Sequence, residues 1–272
     1  MRNSFVRKSS VICARLAVAA AILLSPQLRG QTASAPAQPG PTEIAGIRPG
    51  MTAQQAYDAL KAHAHGAKIV TERLSINGVS ETPIPVGMAV MIPDTLPAEI
   101  VTVWLTTPPS TQVVWAVGET MKYPDANQML TESVLGALRK KFGAEQTANG
   151  GPTLYWTFDR QGSRRPEINA ASCVTFNLNV TDPNAPTFSM ARPPLYVPVP
   201  PKSPCDPLVS VTGLMEGPNN ADRYVTRITL IVVDHALVRS NAEAYNVYLA
   251  NAAAAKQKQD LDKAKEQKAP VF

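Results

Sequence analysis

The chain has 272 residues and a formal charge of +5, from 26 Lys and Arg against 21 Asp and Glu. Five of the bases (Arg2, Arg7, Lys8, Arg15 and Arg29) and none of the acids fall within residues 1–35, so the remainder balances at 21 against 21. A phosphate-binding surface needs clustered Lys and Arg, and an excess confined to the N-terminal stretch argues against nucleic acid as a partner.

That stretch reads as a secretory leader. Arg2, Arg7 and Lys8 precede a short apolar run from Leu16 to Leu24. The run is shorter than the roughly 20 residues a spanning helix needs. A positive segment followed by a short apolar one marks a signal peptide over 1–35, with Ala33-Ser34-Ala35 or Ala35-Pro36-Ala37 as cleavage sites. Cys13 precedes the apolar run, the wrong order for a lipidated cysteine. The rest of the chain is therefore expected outside the cytoplasm, in the periplasm of a Gram-negative bacterium or, alternatively, extracellular, with no transmembrane segment. Residues 36–43 form a Pro/Ala-rich linker.

Structure is expected from Ile44. Thr52-Ala53-Gln54-Gln55 is a capping box, with Ala56, Tyr57, Leu60 and Ala64 at helical spacing and Gly66 as a stop. Residues 67–74 suggest a strand, and Asn77-Gly78 a turn. Ile100–Leu105 and Gln112–Val117 are strand-like. A second helix follows, capped by Asp125 with Gln128 at its third position, and carrying Leu130, Val134, Leu135, Leu138 and Phe142 on one face up to Gly143. Leu154–Phe158, Cys173–Val180 and Tyr224–Val233 read as further strands, the last with Thr226 and Thr229 outward. Ser240-Asn241-Ala242-Glu243 is another capping box, opening a C-terminal helix. Tyr245, Tyr248, Leu249 and Ala252 can dock it, and the charged sequence beyond lacks the apolar heptads of a coiled coil. These elements predict an α+β fold with helices packed on antiparallel sheet. It divides into a helix-plus-sheet region over 44–165, a disulfide-containing strand region over 166–250, and a charged helical tail over 251–272.

Gly50-Met51-Thr52-Ala53-Gln54-Gln55-Ala56-Tyr57-Asp58-Ala59-Leu60, entered through Gly46-Ile47-Arg48-Pro49, resembles the motif that opens SmpA/BamE-like envelope proteins and the related beta-lactamase-inhibitor-protein (BLIP-like) repeats. Gly50 suits the tight turn, Met51 staples the helix to the core, Thr52 caps with Gln55, and Leu60 faces inward. Lys141-Phe142-Gly143 is similar to the segment that follows the helix in such repeats, with Leu154–Phe158 as the next strand. Gly118-Glu119-Thr120-Met121 would then stand where the second unit's G-M-T should be. The resemblance implies one or two tandem helix-plus-sheet units, and a binding or assembly module of the envelope rather than an enzyme.

Outside the leader the two cysteines are Cys173 and Cys205. In an oxidising compartment a lone pair reads as one structural disulfide; two free thiols or a redox pair are the alternatives. The proline-rich stretch 192–201 between them must be extended, because proline fixes φ and restricts the residue before it. An extended connector is the simpler reading, and a polyproline-type ligand the alternative.

Catalytic signatures are missing: no nucleophile elbow, no phosphate-binding glycine loop, no H-E-x-x-H. No catalytic residue, cofactor or metal is expected. His63 and His65 sit at a helix end, where they favour the negative dipole terminus. Asp159, Glu167 and Asp182 lie near strand ends. Asp234-His235 would be half of a hydrolytic triad only if a serine joined it, and Asp234 is expected to cap the turn into the last helix. The candidate binding face consists of the aromatics Trp104, Trp115, Tyr155 and Trp156, although strand aromatics also fill cores. A protein partner in the envelope is the expected ligand. A secreted hydrolase with an unrecognised site and a carrier of a small apolar ligand are the alternatives.

Overall fold

The computed structural model describes residues 41–74, 83–92, 97–124, 128–147, 153–168, 173, 202–217 and 223–266. The leader with Cys13, most of the 36–43 linker, Asn77-Gly78, Asp125, residues 174–180, Asp182, the proline run 192–201 and the last six residues of the tail lie outside them.

Helix α1 spans Ala53–His63. The Gln55 N–H donates to Thr52 Oγ1 at 3.2 Å, and the Thr52 N–H donates to Gln55 Oε1 at 3.0 Å, which completes the capping box. Gly50 takes φ +90°, open to glycine and strained for other residues. Its N–H donates to Val114 O, and the Val114 N–H donates to Met51 O, both at 2.8 Å. The turn is thus tied to the sheet as well as to the helix.

Four strands follow α1: β1 (Ile69–Leu74), β2 (Ile84–Ile92), β3 (Ala98–Leu105) and β4 (Val114–Lys122), each antiparallel to the one before. After a short strand β5 (Met129–Leu130) comes α2 (Thr131–Phe142), then β6 (Gln146–Thr147), β7 (Thr153–Asp159), β8 (Leu208–Glu216), short β9 (Tyr224–Val225) and β10 (Arg227–Asp234). Helix α3 runs from His235 to Glu266. The large sheet has the order β1-β2-β3-β4-β10-β8-β7-β6, and β5 pairs with β9. The fold is α+β. Its plan is one helix followed by a four-strand meander, made twice: α1 with β1 to β4, and α2 with β6, β7, β8 and β10. The last strands of the two units join edge to edge as β4·β10.

Successive side chains of a strand point to opposite faces, so the register sorts the core. One face carries Met88, Val90, Val101, Val103, Val117, Ile228, Leu230, Val232, Val209, Val211, Leu154, Trp156 and Phe158. It is covered by Ala56 and Leu60 of α1 and by Val134, Leu138 and Phe142 of α2. On the opposite face Trp104, Trp115, Ala116 and Val233 pack with Val238 of α3.

Several expected elements shift. Strands β2 and β8 had no sequence signal: Pro83, Pro85 and Gly87 disguise the first, and Gly213 and a preceding proline-rich stretch disguise the second. Pro85 sits at the start of its strand, beside the irregularity between Glu72 and Arg73, where a lost ladder donor is tolerated. Gly118–Met121 is no degenerate G-M-T turn but lies inside β4. Helix α2 starts at Thr131, with Leu130 at its N-cap and no side-chain cap bond, rather than after Asp125. Helix α3 starts at His235, capped by Asp234, whose Oδ1 accepts the Leu237 N–H at 3.0 Å. The Ser240–Glu243 box is therefore helix interior. Ser240 Oγ donates to Leu237 O, and Asn241 Oδ1 accepts the Thr107 N–H. Thr226 falls between β9 and β10. In β10 the even positions Ile228, Leu230 and Val232 face the helices, whereas Thr229 faces away.

Candidate functional site

The four aromatics do not share one surface. Trp156 lies on the helix-covered face, fully buried, with its ring 5.0 Å from Phe142 and its Nε1–H donating to Gly143 O at 2.9 Å. Trp104 and Trp115 lie on the other face with ring centroids 6.1 Å apart, beneath the first turns of α3, and both are buried. An irregularity between Trp104 and Leu105 in the β3–β4 pairing brings Trp115 to the same side as Ala116. Two of the three tryptophans cover glycines: a Cβ on Gly118 would lie 3.1 Å from Trp104, and one on Gly213 3.2 Å from Trp156. These three side chains serve the core, which corrects their assignment to a binding face. Tyr155 alone stays half-buried, on the face away from α1 and α2.

Among the described residues no helix packs on the part of that face formed by β7, β8 and the start of β10, although Ile100, Thr102 and Thr120 on the same face are buried. Thr153 and Tyr155 of β7, Thr212 and Leu214 of β8, Thr229 and Ile231 of β10, and Lys122 of β4 are all partly accessible there. Thr120 and Thr229 bridge β4 and β10 through their hydroxyls at 3.1 Å. At its rim Arg227 pairs with Glu216 at 3.1 Å. The surface is threonine-rich and aliphatic, with paired charges at its edge.

The Asp234-His235 pair does gain a serine. Ser210 Oγ and His235 Nε2 are 2.8 Å apart across β8 and the start of α3. Burial pushes the imidazole down to about 4, so it is neutral at pH 7. The Asp234 carboxylate, however, turns to Arg160, whose Nε and Nη2 each donate at 3.0 Å, and to the Leu237 N–H. An acid used this way caps a helix and holds an arginine; the Ser–His–Asp relay is not assembled around it. Ser210 is 2 % and His235 7 % exposed.

Cys173 and Cys205 form a disulfide, with an S–S distance of 1.96 Å and Cα atoms 5.4 Å apart. Beside it Asp206 accepts Arg239 of α3 at 3.0 Å, which ties the bridge to the helix. Asp159 accepts the N–H groups of Gln161 and Ser163 in a turn, and Glu167 pairs with Arg165. His65 lies beyond α1, with φ +48°.

No protein-family model, curated protein or solved structure matches the chain. The geometry alone bears on its function.

The cluster that sequence reasoning missed lies under α1. His63 Nε2 meets Glu99 Oε1 at 2.5 Å, and Glu119 lies diagonally from Glu99 on the same face of the neighbouring strand. Burial, followed by the Glu99 charge, raises the Glu119 carboxyl to about 7. Its only sequence signal is parity: Val117, Glu119 and Met121 alternate along β4, and an acid occupies an inward position. Among the described residues no group of three or more His, Cys, Asp or Glu is arranged to hold a metal ion, and no helix is long and apolar enough to cross a membrane.

Proposed function

We propose that this chain is an exported binding or assembly module of the bacterial cell envelope, without catalytic activity, that engages a protein partner through the open face of its sheet. The observation that carries the reading is the asymmetry of the two faces. Helices α1 and α2 cover one, and α3 covers only one end of the other. The sheet leaves Thr153, Tyr155, Thr212, Leu214 and Thr229 half-buried side by side, with Ile231 at their edge packing toward the α3 cluster. A sheet surface of threonine and aliphatic side chains suits a protein partner better than an enclosed small molecule. The leader-like N-terminus and the disulfide support export. The Gly50–Leu60 motif and the repeated helix-plus-meander plan support a relationship to the BamE-like and BLIP-like modules.

The test replaces Tyr155 and Leu214 by aspartate in the tagged full chain and compares co-purifying envelope proteins. The reading expects a discrete partner with the parent chain and its loss from a variant whose unfolding midpoint is nearly unchanged. Retention of that partner would contradict it. A secreted hydrolase is the second reading, favoured by the Ser210–His235 contact; it requires labelling of Ser210 by a fluorophosphonate, which the binding reading does not expect.

A further inference from the structure

The large sheet ends in two edges that differ. Strand β6 is two residues long and offers almost no template. Strand β1 has six residues, and among the described residues it pairs only with β2. A free edge of that length presents a row of backbone N–H and C=O groups, and natural sheets blunt such edges with lysine, proline or a bulge. The irregularity of β1 comes only after Glu72. Before it stands Val70, 37 % exposed. Ala67 and Ile69 pack against the helix-covered core, so Lys68, Val70 and Glu72 point to the opposite side. Val70 lies opposite Ala89 of β2, which places Met91 diagonally beside it on the same side. Met91 is also 37 % exposed. Among the described residues of the eight-stranded sheet, Val70 and Met91 are the large hydrophobics left exposed, and they adjoin at this edge. Helix α1 packs over β3, set back from it.

We propose that β1 pairs with β1 of a second copy of this chain, antiparallel and centred on Val70, so that the two sheets become one. A two-fold interface joins the same surface of both copies, and the sequence is self-complementary in this register. Val70 meets its own counterpart, with the two Met91 side chains alongside, which takes the exposed apolar pair out of water. Lys68 stands opposite Glu72 of the second copy, twice, and opposite charges facing across a ladder are favourable. Ile69 stands opposite Thr71 of the second copy on the helix-covered side. Moving the centre by one residue, to Thr71, would set Val70 against Glu72 and Ile69 against Arg73, an apolar side chain against a charge at both places. Because Val70 and its counterpart share a face, the open faces of the two sheets point the same way. The pairing uses the edge furthest from β7 and β8, so it leaves that surface free and presents it twice.

The experiment is sedimentation velocity of the full chain at rising concentration. A single strand pair lies at the small end of specific interfaces, so a reversible monomer–dimer equilibrium is expected. Val70→Lys, which sets two ammonium groups face to face at the centre, is expected to weaken the dimer about tenfold or more. Lys68→Glu and Glu72→Lys each oppose like charges and should weaken it singly, whereas the two together should restore the wild-type affinity. If Glu72→Lys does not fold, Val70→Lys and Lys68→Glu decide. A wild type that stays monomeric up to about 1 mM, a dimer that Val70→Lys leaves intact, or a folded double variant that dimerises no better than the single ones would overturn the pairing.

Discussion

At the residue scale, burial decides what each ionisable group does. His235 and Glu119 are both forced toward their neutral forms, with opposite consequences for stability. The folded state holds His235 neutral down to about pH 4, against an ordinary 6.5. A base with a depressed folded value contributes stability above 6.5 and loses it as pH falls toward 4. By the free energy of a pKa difference, the loss is on the order of 2–3 kcal/mol. Glu119 moves the other way over an overlapping window, so the total profile of the wild type is flattened between about pH 4.5 and 6.5. The two are separable by difference. Unfolding in urea, with wild type compared to His235→Asn from pH 4 to 7, should show an acid-side loss present only in the wild type. Parallel curves would mean that the imidazole is already free to charge in the folded state. Asp234 could be read from sequence as the cap of α3, because it stands between an apolar alternation and a helical run. Ser210 could not, since its partner lies 25 residues away on another element.

At the element scale, the two helices that cover the sheet begin differently. Helix α1 has a complete capping box, whereas α2 starts on Leu130, which is 53 % exposed and caps nothing. Removing the box with Thr52→Ala should cost about 1 kcal/mol, and supplying a cap with Leu130→Ser should gain about 0.5–1 kcal/mol, both measured as shifts in thermal or urea midpoint. A Leu130→Ser variant that is less stable than wild type would show that its contact with the β5–β9 ribbon outweighs the missing cap. This difference also explains what was legible. Local signals such as the Thr52–Gln55 box, the apolar face of α2 and the alternation of β7 and β10 could be read directly. Strand β2 could not: Ile84–Ile92 is apolar almost throughout and buried on both faces from Val86 to Val90, so it lacks the alternation that marks a half-exposed strand. Gly118–Met121 misled for the converse reason, since glycine under a tryptophan looks the same in sequence as glycine in a turn.

At the scale of the whole molecule, stability should reside in the sheet and its two covering helices, not in the length of α3. Only His235, Val238, Ala242 and Tyr245 of that 32-residue helix are buried, and every residue from Ala253 to Glu266 is exposed. Ending the chain after Ala255 should leave the urea midpoint unchanged within error. A clear drop would assign the distal helix a docking role in the folded protein. The sheet itself divides into two helix-plus-meander halves joined at β4·β10. Sequence marked the first half through the Gly50–Leu60 motif and the second only by Lys141-Phe142-Gly143 and the Leu154–Phe158 strand, because the second helix lacks the motif and its strands are separated by the long segment between Asp159 and Leu208.

The central claim is that the open face of the sheet, and not the helix-covered face, meets the partner. A photo-crosslinking amino acid placed singly at Thr229 and Tyr155 on the open face, and at Tyr57 on the exposed side of α1, tests it in intact cells that make the protein. The account predicts one discrete protein adduct, shared by positions 229 and 155 and absent at 57. The same adduct from Tyr57, or none from either sheet position, would contradict it.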